Sequence, residues 1–376
     1  MKIIISGGHL TPALAFIDFI KKNYPRDEII FVGRIFSQTK LQQFAQEKKE
    51  VSQKGVRFIP LKAIRISKTR SFIQKLTTLA IFFKSVLASW LIFIKEKPTI
   101  LISFGGYLAI PLTIAAKLTK TPIITHEQTH CAGIANQLIA RFAQKVAISH
   151  PSSAKYFPLN KTVLTGNLIR PELLKKTTKK PKWINQALLK PILLITGGNQ
   201  GSWIINQTIK ESLIELTKDW TVIHLCGQAS SKRDYKKELS LAIKKLPITQ
   251  QKNYYVVEWA NAEDIAWVYN HAQVAISRAG ANTTMELTIK KIPTIFIPLP
   301  FSHHDEQNKN AQFLVNQRAA ELIPQKQLSS NTLIKKLKQI KDRRLKIISN
   351  LNQIKIPTNA PKLLYQLTME ISSREA

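Results

Sequence analysis

Short apolar runs alternate with longer helical patterns along the whole chain. KIIIS, EIIFVG, RFIPL, TILISF, PIITHE and KVAIS occupy the first half; ILLITGG, TVIHLCG, YYVVEWA, VAISRAG and PTIFIPL occupy the second. The runs are near-continuous in Ile and Val, which suits strands covered on both faces. Their alternation with helical stretches predicts parallel sheets joined by crossover helices, and so two doubly wound α/β domains in tandem. In FPLNKTVLTGNLIRPELLKK a proline, a break in periodicity and a Gly-Asn pair mark the boundary, giving domains over residues 1–163 and 164–357. KIPTNAPKLLYQLTMEI then sets two prolines before an amphipathic helix, so residues from about 358 to 376 are expected to cross back and brace the first domain. The opening MKIIIS runs into GGH too soon for the apolar core of a signal peptide and reads as the first buried strand.

A chain of 376 residues with 44% hydrophobic content suffices for two packed cores. Lys and Arg total 56 against 23 Asp and Glu, and the net charge of +33 draws the protein towards nucleic acid, anionic lipid headgroups or phosphorylated ligands. Aromatic residues do not interleave with the basic ones as a stacking platform would, and no nucleic-acid module is present, so nucleic acid is not an expected partner. Cys131 and Cys226 show neither metal-site spacing nor the density of a disulfide framework, which fits a reducing cytoplasm. Residues 71–97 form the most apolar helix candidate, and residues 76–94 carry Lys84 as their one charge. Three readings stand: a transmembrane helix, a buried crossover helix, or a helix exposing Phe72, Ile73, Leu76 and Leu79 to a leaflet beside Lys62, Arg65, Lys68, Arg70 and Lys75. Crossing a bilayer would split the sheet and weighs against the first.

Three strands run into a glycine pair and then a helix: IIISGGHLTPALAF, LISFGGYLAIPLTIAAKL and LLITGGNQGSWIINQTI. Glycine permits close backbone approach, and a helix N-terminus offers N–H groups with partial positive charge, so each turn could receive an oxyanion or phosphate. None completes a dinucleotide fingerprint or a P-loop, and a tight turn without ligand is the plain alternative for each. Together they mark the carboxyl edge of the sheets, where ligands bind in open α/β folds. In ISRAGANTTMEL, Glu286 follows the Ala279-Gly280-Ala281 turn. It either accepts two hydrogen bonds from a vicinal diol or simply favours a helix N-terminus. IPLPFSHHDEQNKNAQFL gathers His303, His304, Asp305, Glu306, Gln307, Asn308 and Asn310, but adjacent histidines lack the spacing that puts two ligands on one helical face. Amides suit sugar hydroxyls better, so neither metal nor cofactor is expected. His9 after the first glycine pair, and His126 with Glu127 after PIIT, are the general-base candidates, because a histidine with a pKa of about 6.5 removes protons at neutral pH.

SGGHLTPALA, SFGGYLAIP, HEQTHCAGIANQLIARFA, TGNLIRPE, ITGGNQGSWIIN and SRAGANTTMEL with IPLPFSHHDEQNKNA occur in that order across residues 2–325. They closely resemble the MurG family of bacterial UDP-N-acetylglucosamine transferases, which convert lipid I to lipid II in peptidoglycan synthesis. The resemblance implies a GT-B fold, two Rossmann-like domains facing a cleft, the first meeting acceptor and membrane and the second binding the UDP-sugar. It implies an inverting transfer of N-acetylglucosamine from UDP-N-acetylglucosamine to the 4-hydroxyl of undecaprenyl-linked lipid I. Glu286 would grip the ribose, with Ala281, Asn282, Thr283 and Thr284 near the diphosphate, Arg170 and Asn199 on the phosphates, Ala262 at uracil, and Gln307 with Asn308 at the sugar. Ser6, Gly7, Gly8 and His9 would approach sugar and acceptor, and Thr129 would stand near the donor sugar, with His9, Glu127 and His126 as catalytic candidates. The family attaches peripherally at the cytoplasmic face of the cell membrane, so an anionic membrane surface is an expected partner and cell-wall synthesis proteins are candidates. Three departures stand out: Ile4 and Ile5 where the first loop commonly has glycines, Thr129 in HEQT for HEQN, and Asn199 in GGNQG for a serine. The alternatives are another GT-B UDP-sugar transferase or an epimerase, told apart by whether turnover needs the lipid acceptor, or a non-catalytic basic protein binding nucleic acid or membrane.

Overall fold

Strand β1 (Lys2–Ser6) shows why the apolar runs lack polar alternation: Ile3 and Ile5 enter one core and Ile4 the other, so every position is covered. The computed structural model describes residues 1–34, 36–38, 43–44, 46–63, 72–175, 179–198, 200–228 and 233–374. The chain divides into two compact units, Met1–Pro171 with Pro357–Ala376, and Glu172–Ile356.

In the first unit β1 is followed by α1 (Leu10–Asn23), β2 (Glu28–Gly33), a short antiparallel pair β3 (Phe36–Gln38) and β4 (Gln43–Phe44), α2 (Gln46–Gln53), β5 (Arg57–Pro60), α3 (Phe72–Glu96), β6 (Ile100–Ser103), α4 (Ala109–Leu118), β7 (Ile123–Glu127), α5 (Ile134–Phe142), β8 (Lys145–Ile148) and β9 (Thr162–Leu164). Its seven-stranded sheet is parallel throughout, in the order β5-β2-β1-β6-β7-β8-β9. Strand order reverses between β1 and β6, which makes their carboxyl ends the natural ligand crevice. β9 straddles the boundary expected at residues 163 and 164, because it is the edge strand of this sheet; the unit runs on to Pro171. Ile4 and Ile5 are central strand residues paired with β2 and β6, so they do not replace loop glycines; the first loop is simply short, with Gly7, Gly8 and His9 between β1 and α1. His126 and Glu127 likewise belong to β7 itself and do not follow it.

Helix α3 is long and apolar enough to cross a membrane by length and composition. It instead links β5 to β6 within one sheet, and Phe93 packs in that sheet's core, so it is a crossover helix. Its outer face exposes Leu76, Leu79, Phe83, Leu87, Leu91 and Ile94 at helical spacing. The buried-crossover and surface-facing readings therefore hold for opposite sides of one helix. Arg65, Lys68 and Arg70, and the side chains of Phe72, Ile73 and Lys75, lie outside the described residues.

The second unit continues with α6 (Pro171–Leu174), β10 (Ile192–Thr196), α7 (Trp203–Glu211), α8 (Leu213–Asp219), β11 (Thr221–Leu225), α9 (Tyr235–Ile243), α10 (Ile248–Gln251), β12 (Tyr254–Val257), α11 (Ala262–His271), β13 (Ala272–Ser277), α12 (Ala281–Ile289), β14 (Thr294–Phe296), α13 (Glu306–Asn316), β15 (Glu321–Leu322), α14 (Ser330–Asp342) and α15 (Arg344–Gln353). The parallel order β12-β11-β10-β13-β14-β15 reverses between β10 and β13. The tail helix α16 (Ala360–Arg374) belongs to the first unit, where Leu364, Tyr365 and Ile371 join the core behind α1. Tyr365 stacks on Tyr24 at 3.8 Å and donates to Asp27 at 2.6 Å, and the N-terminal ammonium binds the same carboxylate.

Candidate functional site

At the carboxyl edge of the first sheet the loops after β1 and β6 touch through glycine alone. A Cβ on Gly8 would overlap the carbonyl of Gly105, and one on Gly106 would stand 3.2 Å from Gly8 Cα. Gly105 and Gly106 also hold φ of 78° and 80°, where other residues are strained. Ser6, fully buried at the end of β1, turns a hydroxyl with no hydrogen-bond partner into this edge. His9 is the residue before α1 and does not cap it; its side chain is exposed. Desolvation lowers its pKa, the Glu127 charge opposes that, and Arg34 adds to it.

Glu127 is 2% exposed, and its carboxylate is spent inside the fold. Oε1 accepts from Thr129 N at 3.0 Å and Thr129 Oγ1 at 2.9 Å; Oε2 accepts from Gly133 N and Asn136 Nδ2, both at 2.9 Å. Three of these donors are N–H groups of the loop and of α5, so the carboxylate ties that loop to the strand. Glu127 anchors the loop entering α5. Thr129 is buried, with its hydroxyl between Glu127 and the carbonyl of Cys131. His126 is also buried. Its Nε2 donates to Gly166 O at 3.0 Å and its Nδ1 accepts from Gln128 Nε2 at 3.1 Å, which fixes a neutral tautomer with both nitrogens occupied. Burial pushes its pKa down to about 4, against the pull of the Gly166 carbonyl. Of the three base candidates only His9 keeps an accessible ring. Arg170 lies between β9 and α6, close enough to Glu50 to lower a carboxyl pKa that burial raises overall.

The second sheet repeats the glycine device. Gly198 and Gly201 hold φ of 82° and 70°, Gly201 N donates to Gly198 O at 2.9 Å, and a Cβ on Gly201 would overlap Cys226 O. Asn199 lies outside the described residues. Beside this loop Arg278 is buried and ties three segments together. Nη1 donates to Ile297 O and Pro298 O at 2.9 and 3.1 Å, and Nη2 to Ser202 Oγ and Gln325 Oε1 at 2.8 and 2.7 Å. Burial lowers its pKa to about 10, which leaves it a cation at neutral pH.

α12 starts at Ala281 behind an extended Gly280 with no side-chain cap; Thr284 N donates to Gly280 O at 2.9 Å, so the helix start at the edge is the peptide run before Thr284. Thr284 Oγ1 is buried without a hydrogen-bond partner. Glu286, one turn on and 4% exposed, accepts from Tyr269 Oη at 3.2 Å. Ala262 opens α11, where Asn261 caps the helix through Asp264 N at 2.7 Å. Gln307 Oε1 accepts from Leu299 N at 3.0 Å, while Asn308 Nδ2 donates to Asp305 at 2.8 Å and Asn310 Nδ2 to Ala279 O at 3.0 Å. Among the described residues no three His, Cys, Asp or Glu converge on a common point for a metal.

The structure thus gathers Ser6, Gly7, Gly8 and His9 at one sheet edge, and Ala281 to Thr284, Glu286 and Gln307 at the other. Sequence reading missed Asn136, Tyr269 and the bracing role of Arg278. Arg278, a charge closing an apolar strand, was the one legible signal of the three.

Two family models match the chain: the glycosyltransferase family 28 N-terminal domain over residues 4–148 and the C-terminal domain over residues 192–362. Relatives named UDP-N-acetylglucosamine--N-acetylmuramyl-(pentapeptide) pyrophosphoryl-undecaprenol N-acetylglucosamine transferase include one from Clostridium botulinum, 31% identical over 94% of this chain and 95% of its own. Another, from Pediococcus pentosaceus, is 32% identical over 90% of each. Among solved structures, Acinetobacter baumannii MurG superposes with a TM-score of 0.68 at 22% identity, covering 98% of this chain and 100% of that one. A UDP-GlcNAc 2-epimerase from Neisseria meningitidis, solved with UDP-GlcNAc, shares the fold at a TM-score of 0.65 and 14% identity over 98% of this chain and 100% of that one. With both halves matched and full-length relatives above 30% identity, the chain belongs to glycosyltransferase family 28 and, within it, to the MurG family.

Proposed function

We propose that this chain transfers N-acetylglucosamine from UDP-N-acetylglucosamine to the 4-hydroxyl of the muramyl sugar of undecaprenyl-linked lipid I, giving lipid II. The observation that carries the reading is Glu286, a buried carboxylate in the second turn of the helix that follows Gly280, at the point where the second sheet reverses its order. A carboxylate there receives the ribose diol while the start of α12 and the Gly197–Gly201 turn receive the diphosphate. Ala262 meets uracil through its backbone, and Gln307, whose oxygen is held by Leu299, turns its amide N–H groups to the sugar.

In the reaction the acceptor oxygen forms its bond to the anomeric carbon as the bond from that carbon to the phosphate oxygen breaks. The acceptor proton passes to the His9 imidazole, and UDP leaves with the electron pair. An imidazole with a pKa no higher than the usual value of about 6.5 is mostly neutral at pH 7 and can take the proton. The α12 N-terminus stabilises the charge that develops on the diphosphate. Attack opposite the leaving group inverts the anomeric centre, so the new linkage is β.

Membrane attachment is part of the same reading. The outer face of α3 exposes Phe83 at 62% and Leu91 at 54%, with Lys84 and Lys95 exposed on the same helix. α4 packs against α3 and exposes Leu118 beside Lys117. Apolar side chains among cations suit the anionic cytoplasmic leaflet in which a lipid-linked acceptor resides.

The test is calorimetry with UDP on the wild type and on Glu286→Ala, with UDP release measured in the presence and absence of a lipid I analogue. Affinity lost in the variant and turnover that requires the acceptor are expected. Unchanged affinity in the variant overturns the donor site, and turnover of UDP-N-acetylglucosamine without acceptor would point to an epimerase.

A further inference from the structure

Behind the glycine turn of the second sheet, three buried side chains pass a line of hydrogen bonds from β12 to one backbone carbonyl. Asn206, on α7, donates through Nδ2 to Cys226 O at 2.9 Å. Its Oδ1 meets His224 Nε2 at 3.0 Å, and Nδ1 of that ring lies 2.5 Å from Tyr254 Oη. An amide oxygen only accepts, so Nε2 carries the ring proton and Nδ1 accepts from the phenol. Burial pushes the His224 pKa down to about 3, which keeps the ring in the neutral form this direction requires.

The carbonyl at the end of the line is the one that meets the glycine turn. A Cβ on Gly201 would overlap Cys226 O, and one on Gly227 would overlap Gly201 N. The turn after β10 therefore rests on the backbone after β11, and Asn206 sets where that backbone stands. The other flank is held as well. Ser202, the residue before α7, accepts from Arg278 Nη2 at 2.8 Å and makes no side-chain cap to its own helix. The first N–H groups of α7 are thus left without a side-chain cap at the end of a turn fixed from both sides.

We infer that His224 is a positioning residue for the donor diphosphate: its Nε2–H orients the Asn206 amide and, through the Cys226 carbonyl, the glycine turn that receives the phosphates. The inference rests on the donor site proposed above. Its mechanism is preorganisation, because a turn already fixed in place does not have to be ordered by the ligand. Uridine carries no phosphate and makes no use of it.

The experiment measures UDP by calorimetry and uridine by ligand-observed NMR on the full chain, as wild type, His224→Gln, His224→Asn and Asn206→Ser. A glutamine amide reaches the position of Nε2, whereas an asparagine amide reaches only that of Nδ1. His224→Asn and Asn206→Ser should each weaken UDP by about three- to tenfold, the worth of one oriented hydrogen bond, and uridine by less than about twofold. His224→Gln should hold UDP within about twofold of wild type. The inference is overturned if UDP affinity is unchanged in the folded His224→Asn or Asn206→Ser protein, if uridine weakens as much as UDP, or if His224→Gln loses as much as His224→Asn. Both loss variants break the hold on the same carbonyl, so either one that keeps a cooperative melting transition decides the matter. Failure of the wild type to bind UDP, or normal UDP binding by Glu286→Ala, is a separate outcome that removes the donor site itself and the inference with it.

Discussion

Gly8 lies against Gly105 so closely that the smallest side chain on Gly8 would overlap the Gly105 carbonyl. These residues follow β1 and β6, the neighbours between which the first sheet reverses; in the second sheet Gly201 stands equally close to Cys226, but after β10 and β11, one strand away from the reversal between β10 and β13. Close approach of two turns is possible here because glycine has no side chain. Gly8→Ala and Gly201→Ala should each lower unfolding free energy by about 1–3 kcal/mol, the usual cost of overpacking, as read by urea denaturation. UDP affinity should drop about tenfold or more in Gly201→Ala and stay near wild type in Gly8→Ala, because the two glycines belong to different loops.

Glu127 is expected to matter for stability before chemistry. Glu127→Ala strands the N–H groups of Thr129, Gly133 and the Asn136 amide in a buried site, each a cost of about 1–3 kcal/mol. Denaturant unfolding should show the loss, while the acid limb of the pH–rate profile persists in the folded fraction. A variant of full stability with that limb abolished would make Glu127 the base.

Histidine titration gives two separable signals. As base, His9 works when neutral, and its folded pKa lies below 6.5. kcat/KM should therefore be level near neutrality and fall as pH drops through a value under 6.5; His9→Gln should lose that limb and about 10²–10⁴ in kcat. His126 acts on stability instead. Its folded pKa of about 4 lies below the unfolded value of 6.5, so the unfolded chain binds the proton first. The contribution is complete above pH 6.5 and is lost as pH falls from 6.5 towards about 4. Urea titrations across that window should give a steeper pH slope for the wild type than for His126→Gln.

The outer face of α3 supplies a fourth prediction. Phe83→Glu with Leu87→Glu alters residues that are 62% and 55% exposed, so the fold and UDP affinity should hold. Sedimentation with vesicles containing anionic phospholipid should fall sharply, and the wild-type binding should weaken with salt. Equal sedimentation of variant and wild type would place membrane contact elsewhere.

The two parallel sheets, their glycine turns and the position of Glu286 were legible in the sequence because each is a local pattern. An Ile- and Val-rich run needs cover on both faces, and a glycine pair at its end permits a turn that other residues resist. The first loop shows the limit. Ile4 and Ile5 read as altered loop residues until β2 and β6 are seen pairing on either side of them. The roles at the β7 edge were beyond reach in the same way. HEQT offers two candidate bases, and what engages them in the fold is Asn136 and Gly133 on Glu127, with Gly166 on His126. Tyr269, on α11, reaches Glu286 although β13 separates the two along the chain. Residue type and spacing state what a side chain is able to do; only the tertiary structure decides which lone pairs and protons neighbours have already consumed, because that saturation depends on groups brought together in space.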